Sequence, residues 1–583
     1  MARTNYEVAS AFDELADLMQ ISGADRFRTL AYRRAADALR GLARDVGALS
    51  DQDLIRVRGI GKTILAKVRE LGETGTMGVL EDLRAAYPAG AVEMARLPGL
   101  GPKRAVLLAR ELGVTTLEEL GEAIRAGRLR GIKGMGAKTE ENLLRTLATY
   151  AGERERIFLA RALKVAEEML DGLRAVPGVV RASYAGSLRR MRETIGDIDL
   201  LAASQGPEAV MDAFAKLPNV DRVLARGPTK ATVLTGGGLQ VDLRVVAPDE
   251  YGSALQYFTG SQAHNIKVRE HAVRMGLKLS EYGLFRVKGV GGDEPDRIAS
   301  RTEEEVYGAL GMQVPPPTMR EDRGEVELAL RGELPTPVEP EDLLGDLQAH
   351  STYSDGKVSL RRMALAAASR GHRYFAITDH GRNLHLRSLS IEDIARQGRE
   401  VKEINESLAG RMELLHGVEL NIGPEGELDY PDEVLTRFDV VVASVHHQLG
   451  MDRAGMTRRI LRAIENPHVH ILGHPTGRIL GRRPASELDL EAVCEAAAAH
   501  GVALEINASP RRLDLKDDHI FLAREYGCLF AISTDAHSPA ELDYLRFGIC
   551  SAQRGWVTRR EVINALPLEE LRRFLAKETV GRR

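Results

Sequence analysis

From about residue 343 onward the chain repeats one local pattern: a short apolar run of strand character, a histidine or acid, then a helical stretch. The runs read YFAIT, ELLHGVEL, VVVASV, VHILG, VALEIN and CLFAIS. Strands and helices in such alternation suit two architectures, a βα-repeat barrel or a doubly wound sheet. In a barrel the C-terminal strand ends converge on one face, where active sites assemble. The segments DLQAHSTYSDG, FAITDHG, LLHGVELNI, VVASVHHQ, ILGHPTG and ISTDAHS would place His350, Asp355, His380, Glu419, His446, His474, Asp535 and His537 there. One such histidine is explained by a structural hydrogen bond. Repetition at successive strand ends instead points to a metal cluster, and mixed nitrogen and oxygen ligation suits Zn²⁺, Mn²⁺ or Fe²⁺.

The rest of the chain follows other periods. With 583 residues in all, one hydrophobic core is too few, so several modules are expected. Residues 1 to 150 read as short amphipathic helices broken by glycine turns, an all-α region. Between about 176 and 250 the pattern turns to strands, VVRASYAG, GDIDLLAAS and LQVDLRVVAP. Residues 252 to 312 mix helix and strand. Then VPPPTMREDRGEVELALRGELPTPVEPEDL, rich in proline and charge, reads as a linker over 316–342.

Composition excludes several classes. No stretch of eighteen apolar residues exists to cross a bilayer, and the N-terminus lacks a signal peptide's apolar core. The cysteines Cys494, Cys528 and Cys550 are too scattered for a disulfide framework or a CxxC clip. A reducing cytoplasm and no membrane partner are expected. A net charge of −4 predicts no partner by itself, so nucleic-acid binding must be argued from the placement of groups.

Such placement occurs three times in the helical region, as VRGIGKTILAKVREL, LPGLGPKRAVLLAREL and IKGMGAKTEENLLRTL. The glycine pairs are Gly59/Gly61, Gly99/Gly101 and Gly134/Gly136. Glycines let the backbone turn tightly and approach a phosphate, and the helix that starts at once offers free N–H groups to an anion. One copy is a common helical-hairpin turn; three copies resemble the helix-hairpin-helix motif, which binds the DNA backbone without reading its sequence.

In AGSLRRMRETIGDIDLL, Asp197 and Asp199 stand two apart in a predicted strand, so both side chains leave the same face. LQVDLRVV supplies Asp242 between apolar neighbours, at a sheet edge or in a cleft. Three clustered carboxylates need cations, and oxygen ligands favour Mg²⁺ or Mn²⁺. A pair of such ions stabilises the attacking and leaving oxygens of phosphoryl transfer. The pair follows Gly186-Ser187 and the cations Arg189, Arg190 and Arg192, suited to a triphosphate. The Gly-Ser turn, GDIDLL, VDLRVV and the later YFTGSQAHN resemble the family X DNA polymerases, relatives of DNA polymerase beta in the nucleotidyltransferase superfamily.

That resemblance covers residues 1 to about 315 and implies a role for each matching position. Asp197 and Asp199 would hold both metals; Asp242 would bind the catalytic metal and accept the primer hydroxyl proton. Ser187 and Arg190 would contact the β- and γ-phosphates, with a backbone donor from Gly196. Tyr257, Phe258 and the Gly260-Ser261 turn would pack on the incoming sugar and disfavour a 2′-hydroxyl, and Asn265 would reach the base from the minor groove. Lys67 matches the position of a Schiff-base nucleophile against 5′-deoxyribose phosphate, although a lysine beside DNA more often serves as a phosphate contact. Arg28 stands where relatives have a lysine for the 5′-phosphate and Phe27 replaces a polar residue, so both readings of Lys67 stay open.

The histidine-rich segments, over about 343 to 575, resemble the PHP (polymerase and histidinol phosphatase) domain. This implies a distorted (β/α)7 barrel whose cluster of up to three ions, Zn²⁺ and/or Mn²⁺, hydrolyses phosphoesters. Fused to a bacterial family X polymerase, it implies 3′-5′ exonuclease activity, often with abasic-site endonuclease and 3′-phosphatase activities. One departure is Gln348 where the family opens with a histidine; its amide oxygen is a weaker ligand than imidazole. The resulting expectation is a multidomain chain. Its parts are a lyase-like helix-hairpin-helix domain (1–85), a fingers-like domain with two further hairpins (86–150), an α+β nucleotidyltransferase palm (151–250), a thumb (251–315), the linker and the barrel. It would act as a monomer on gapped or primed DNA with deoxynucleoside triphosphates, in the cytoplasm at the nucleoid. An inactive DNA-binding scaffold, or a nuclease or phosphatase with a vestigial polymerase half, are the rivals; the intact acids and YFTGS oppose both.

Overall fold

The computed structural model describes residues 5–40, 46–47, 49–57, 59–95, 100–132, 135–136, 139–140, 143–144, 156–286, 296–382 and 388–578. The chain forms two compact units, Met1–Glu155 and Arg156–Arg583.

The first unit is helical throughout its described residues and has two small cores. One joins helices Asn5–Ser22, Arg26–Arg40 and Lys62–Thr74 through Phe12, Leu15, Leu39, Ile64 and Leu65. The other gathers Leu100, Leu108, Leu120 and Met135. The residue between each pair of glycines is buried: Ile60, Leu100 and Met135. An apolar pin thus fixes each turn while the glycine after it faces outward.

Among its described residues the second unit contains seventeen strands. A two-stranded ribbon pairs β1 (Ile157–Phe158) with β3 (Thr194–Ile195). A mixed five-stranded sheet has β2 (Val179–Tyr184), β4 (Asp197–Ser204), β7 (Gln240–Val246), β6 (Lys230–Thr235) and β5 (Val220–Arg226) side by side. Its inner face packs Ile198, Leu200, Val241 and Leu243 against helix Leu159–Arg174. The period of two that buries Ile198 and Leu200 turns Asp197 and Asp199 to the opposite face. Farther along, that face is covered by helix Tyr251–Thr259, through Leu201, Ala203, Val246 and Ala254. β8 (Leu277–Ser280), β9 (Gly283–Arg286) and β10 (Asp296–Ala299) form an antiparallel sheet beside helix Gln262–Arg274.

The remaining strands are all parallel and in sequence order: β11 (Gly345–Asp346), β12 (Tyr374–Ile377), β13 (Glu413–Asn421), β14 (Val440–Ser444), β15 (Ile471–Leu472), β16 (Ala503–Asn507) and β17 (Phe530–Ser533). Beyond β11 and β17 the chain pairs again: Asp535 N donates to Gln348 O at 3.1 Å and His350 N to Ala536 O at 2.8 Å. The ring therefore closes, which decides for the barrel over the doubly wound sheet.

The proline-rich stretch 316–342 differs from its composition. It contains helix Glu325–Arg331, whose Val326 and Ala329 join the core of the thumb region. Arg320 and Glu325 are fully buried, and Val338 sits in the barrel core with its N–H bonded to Val557 O at 2.8 Å. It is a packed strap rather than a flexible linker, because its few apolar residues and buried ion pairs all find partners. Barrel residues Leu513 and Phe547 in turn complete the palm's own core.

Candidate catalytic centres

In the palm the parallel pairing of β4 with β7 sets Asp199 directly opposite Asp242. Both strands lie inside the sheet, so Asp242 is not at its edge. Burial, then the charge of Asp242, raises the Asp197 carboxyl above its usual range. Burial and both neighbouring acids push Asp199 up to about 7. Two carboxylates whose charged forms are disfavoured, with a third acid opposite them, form a donor set that fits divalent cations. Asp242 leans toward β6, where Thr232 Oγ1 donates to it and Lys230 Nζ lies 3.8 Å away. The triad is consequently not among the groups of side chains whose ligand atoms all lie within 4.8 Å of one another.

The Gly-Ser turn lies on this acid. Gly186 has φ +56, and a Cβ there would sit 2.0 Å from Asp199 Oδ2; Ala185 N donates to Asp199 O at 2.8 Å. Only glycine allows both the dihedral and the approach. Ser187 is half-buried in the short helix that follows. All three arginines are already engaged, Arg192 through Glu321 at 3.6 Å. Arg189 pairs with Glu303 at 2.6 Å, while Arg190 donates to Thr259 O at 2.5 Å and to Glu321 Oε1 at 3.1 Å. Arg190 is thus tied to the strap and the TGS turn rather than free, and a triphosphate must compete with Glu321 for it. Gly196 lies against Arg156, with Nη1 3.2 Å from where its Cβ would be. Arg156 feels the Asp197 charge; it carries no motif and was not singled out from sequence.

Helix Tyr251–Thr259 brings its end to the acid-bearing face. Phe258 packs beside the sheet with the Arg244 guanidinium 5.1 Å above its ring, and Tyr257 meets it edge-on at 5.2 Å. Gly260 has φ +68. Asn265 is buried; it donates to Tyr257 O at 2.7 Å and accepts from Gln256 at 2.8 Å, which braces this turn from behind.

In the barrel, all eight predicted ligands converge. Glu419 is central: its oxygens lie 3.4 Å from His350, 3.3 Å from His380, 3.2 Å from His446 and 3.1 Å from His474. Asp535 lies 3.1 Å from His350, and Asp355 lies 3.2 Å from His537 and 3.6 Å from His380. Three groups each bring their ligand atoms within 4.8 Å: His350, Asp355, His380 and His537; His380, Glu419 and His446; His350, Glu419 and Asp535. The Nδ1 atoms of His350, His380, His446 and His474 are buried without a hydrogen-bond partner. Buried orphan nitrogens around shared carboxylates fit a cluster of cations. Despite burial, the surrounding histidines hold Glu419 well below the usual carboxylate range, and Asp355 with Asp535 raises His537 to about 9. Gln348 is fully buried, and neither amide atom has a hydrogen-bond partner.

Two supporting acids escaped the sequence reading. Asp379 accepts from Ser351 N at 2.8 Å, Ser351 Oγ at 2.6 Å, Ser354 Oγ at 2.6 Å and Gln397 at 2.7 Å, and so shapes the loop that carries His350 and Asp355. Asp346 binds Thr534 and the backbone N–H of Gln348. Their position beside ligands, in GDLQAH and TDH, was the available signal.

In the first unit Gly59 has φ +99 and lies 3.3 Å (as a Cβ) from Arg34 O, a turn only glycine allows. Gly61 and Gly136 face open space, and Gly101 opens helix Gly101–Leu112 with φ +68. Gly99 and Gly134 lie outside the described residues. Arg28 is exposed. Lys67 Nζ is 3.6 Å from Glu70 and 18% exposed.

Known proteins resemble each of these regions. Family models match for a helix-hairpin-helix domain (3–77), a SAM-like helix-hairpin-helix tandem (91–149), a DNA polymerase beta thumb (254–321) and a PHP domain (346–509). A Bacillus subtilis protein named DNA polymerase/3'-5' exonuclease PolX is 37% identical over 98% of this chain and 99% of its own length. A probable phosphatase of Thermoanaerobacter is 30% identical over 34% of this chain and 86% of its own. Another, from Caldanaerobacter subterraneus, is 33% identical over 29% and 72%. Whole-length similarity to the first, with thumb, hairpin and barrel all matched, means that this chain belongs to the family X DNA polymerases that carry a PHP domain.

Proposed function

We propose that the chain adds nucleotides to primer ends at Asp197, Asp199 and Asp242 and removes them from 3′ ends at the barrel cluster, acting as a monomer on short gaps in chromosomal DNA. The observation that carries synthesis is the Asp199–Asp242 register with Gly186 laid on the carboxylate. Mg²⁺ or Mn²⁺ held by the triad would neutralise charge on the transferring phosphate. Ser187 and the Gly196 backbone orient the triphosphate, and Arg190 joins them by exchanging Glu321 for phosphate. Phe258, Tyr257 and the Gly260 turn confine the sugar, and Asn265, which holds that turn through Tyr257 O, would reach the base by giving up that bond. Removal is carried by Glu419, which touches four histidines at once; Zn²⁺ or Mn²⁺ there would activate water. Gln348 would lend one ion only an amide oxygen. The hairpin glycines and Arg28 contact backbone phosphates, and Lys67, 3.6 Å from Glu70, suits the same task. The phosphatase relatives match only about a third of this chain, and 3′-phosphate removal at the barrel centre is compatible with this reading.

The test is a paired assay on one gapped substrate. Asp242→Ala is expected to abolish Mg²⁺-dependent extension and keep Mn²⁺-dependent 3′-5′ degradation; His537→Ala is expected to do the reverse. Equal loss of both activities in either variant would refute two separate centres.

A further inference from the structure

Beside the barrel cluster lies a cation that ligation of metal does not need. Arg512 is in the loop after β16, at the same end of the barrel as the ligands. Its Nε is 3.6 Å from Asp535 Oδ2, while Asp535 Oδ1 lies 3.1 Å from His350. Its Nη1 is buried and has no hydrogen-bond partner. An unpaired buried donor of a charged group is costly and calls for explanation. Arg483, on the loop after β15, is held below the ordinary arginine range by burial and by the charges of Arg512 and Arg482. Cations therefore gather where the nearest acid already accepts from Asn507 Nδ2 at 3.1 Å. A metal ion bound by Asp535 would make this place more positive still. Asp535 alone would then face both the metal ion and the guanidinium, so a further anion between them is favoured.

The loop is also fixed. Leu513, the next residue, is buried in the palm core, and Arg511 O accepts from Leu480 N at 2.7 Å. Arg478 donates to Leu513 O and pairs with Glu193 of the palm at 2.8 Å. Arg512 is thus presented by a loop fastened on the polymerase side, as preorganised binding of a substrate requires.

We propose that Arg512 binds the phosphate of the 3′-terminal nucleotide at the barrel centre, with Nη1 donating to a non-bridging oxygen. A guanidinium fork matches phosphate geometry and stays charged at any working pH. The proposal rests on the reading that the barrel removes 3′ nucleotides.

The experiment compares wild type, Arg512→Met, Arg512→Lys and His537→Ala in the full-length chain. It measures Mn²⁺-dependent degradation of a single-stranded oligonucleotide, inhibition by the product-like dAMP, bound metal by elemental analysis, and primer extension. Arg512→Met is expected to lower kcat/KM for degradation about 10- to 100-fold and to weaken dAMP inhibition by a similar factor. Bound metal and primer extension should stay at wild-type levels, and Arg512→Lys should recover part of both losses. Unchanged degradation and dAMP inhibition in Arg512→Met would overturn the proposal. So would a loss that follows a matching loss of metal, since Arg512 would then only hold Asp535. If extension also collapses in Arg512→Met, dAMP inhibition of Arg512→Lys decides, and a wild-type value there overturns the proposal. Persistent degradation by His537→Ala would instead remove the reading of the barrel itself.

Discussion

A Cβ at residue 186 would occupy the space of an Asp199 carboxylate oxygen, and its φ of +56 disfavours any side chain. Gly186→Ala is accordingly expected to reduce primer extension at least about 100-fold, as a misplacement near 1 Å in a phosphoryl-transfer site does. 3′-5′ degradation, measured on the same preparation, should change less than about twofold. The grouping was largely readable: Asp197, Asp199 and Asp242 from spacing and the motifs around them, and the eight convergent barrel residues from their strand-end positions. What could not be read was occupancy of the arginines. Arg189 and Arg190 look alike as free cations in GSLRRMR, yet their partners Glu303 and Glu321 are over a hundred residues away.

Among elements, the strap shows most clearly where local signals stop. Proline and charge argue for an open linker, because the composition of 316–342 does not reveal that Arg320 will be buried against Glu303 at 2.5 Å. Glu303 is held at about 2: burial opposes this, but Arg320 and Arg189 outweigh it. Removing one partner of a buried pair leaves the other charge stranded. Arg320→Met should therefore lower unfolding free energy by about 3 kcal/mol, seen as a lower denaturant midpoint. A change under about 0.5 kcal/mol would mean that the pair merely replaces solvation. The hairpins were legible for the opposite reason: a glycine pair with an apolar pin is a local device, repeated unchanged. The barrel's strands were legible as apolar runs, but neither its closure through Gln348–His350 and Asp535–Ala536 nor the roles of Asp379 and Asp346 were.

For the whole molecule, the polymerase and barrel regions share structure. Because Leu513 and Phe547 complete the palm core and Val338 enters the barrel core, separating the chain at 342 should give two poorly soluble pieces. A piece beginning at 156 should fold and keep 3′-5′ degradation of single strands, with weaker binding to gapped DNA. Circular dichroism and nuclease assays on the three fragments check this; a cooperatively folded 1–342 piece would contradict it. Acid sensitivity is the second whole-molecule property. Burial lowers His416 to about 4, and burial with the nearby Lys577 lowers His470 to about 3. The unfolded chain titrates these groups near 6.5, so below that pH it binds protons that the folded barrel refuses. Stability is then insensitive to them above about 6.5 and falls as pH drops toward 4, by up to about 1.4 kcal/mol per pH unit for each group. His470→Gln should flatten this slope by up to one group's worth between pH 6.5 and 4, measured by denaturant unfolding; an unchanged slope would contradict it.

The sequence by itself determined the kinds of element, the repeated glycine hairpins, the two candidate sets of metal-ligating acids and histidines, and the family to which they belong. Each is written in spacings of a few residues, where the periods of helix and strand and the conformational freedom of glycine act directly. Tertiary structure alone decided that Asp199 faces Asp242, that the ring of seven strands closes, that Arg190 is shared with the strap, and that a palm-anchored loop carries Arg512 to the barrel cluster. Those outcomes depend on register, burial and charge pairing between segments far apart in the chain, and no local pattern encodes which distant surface a side chain will meet.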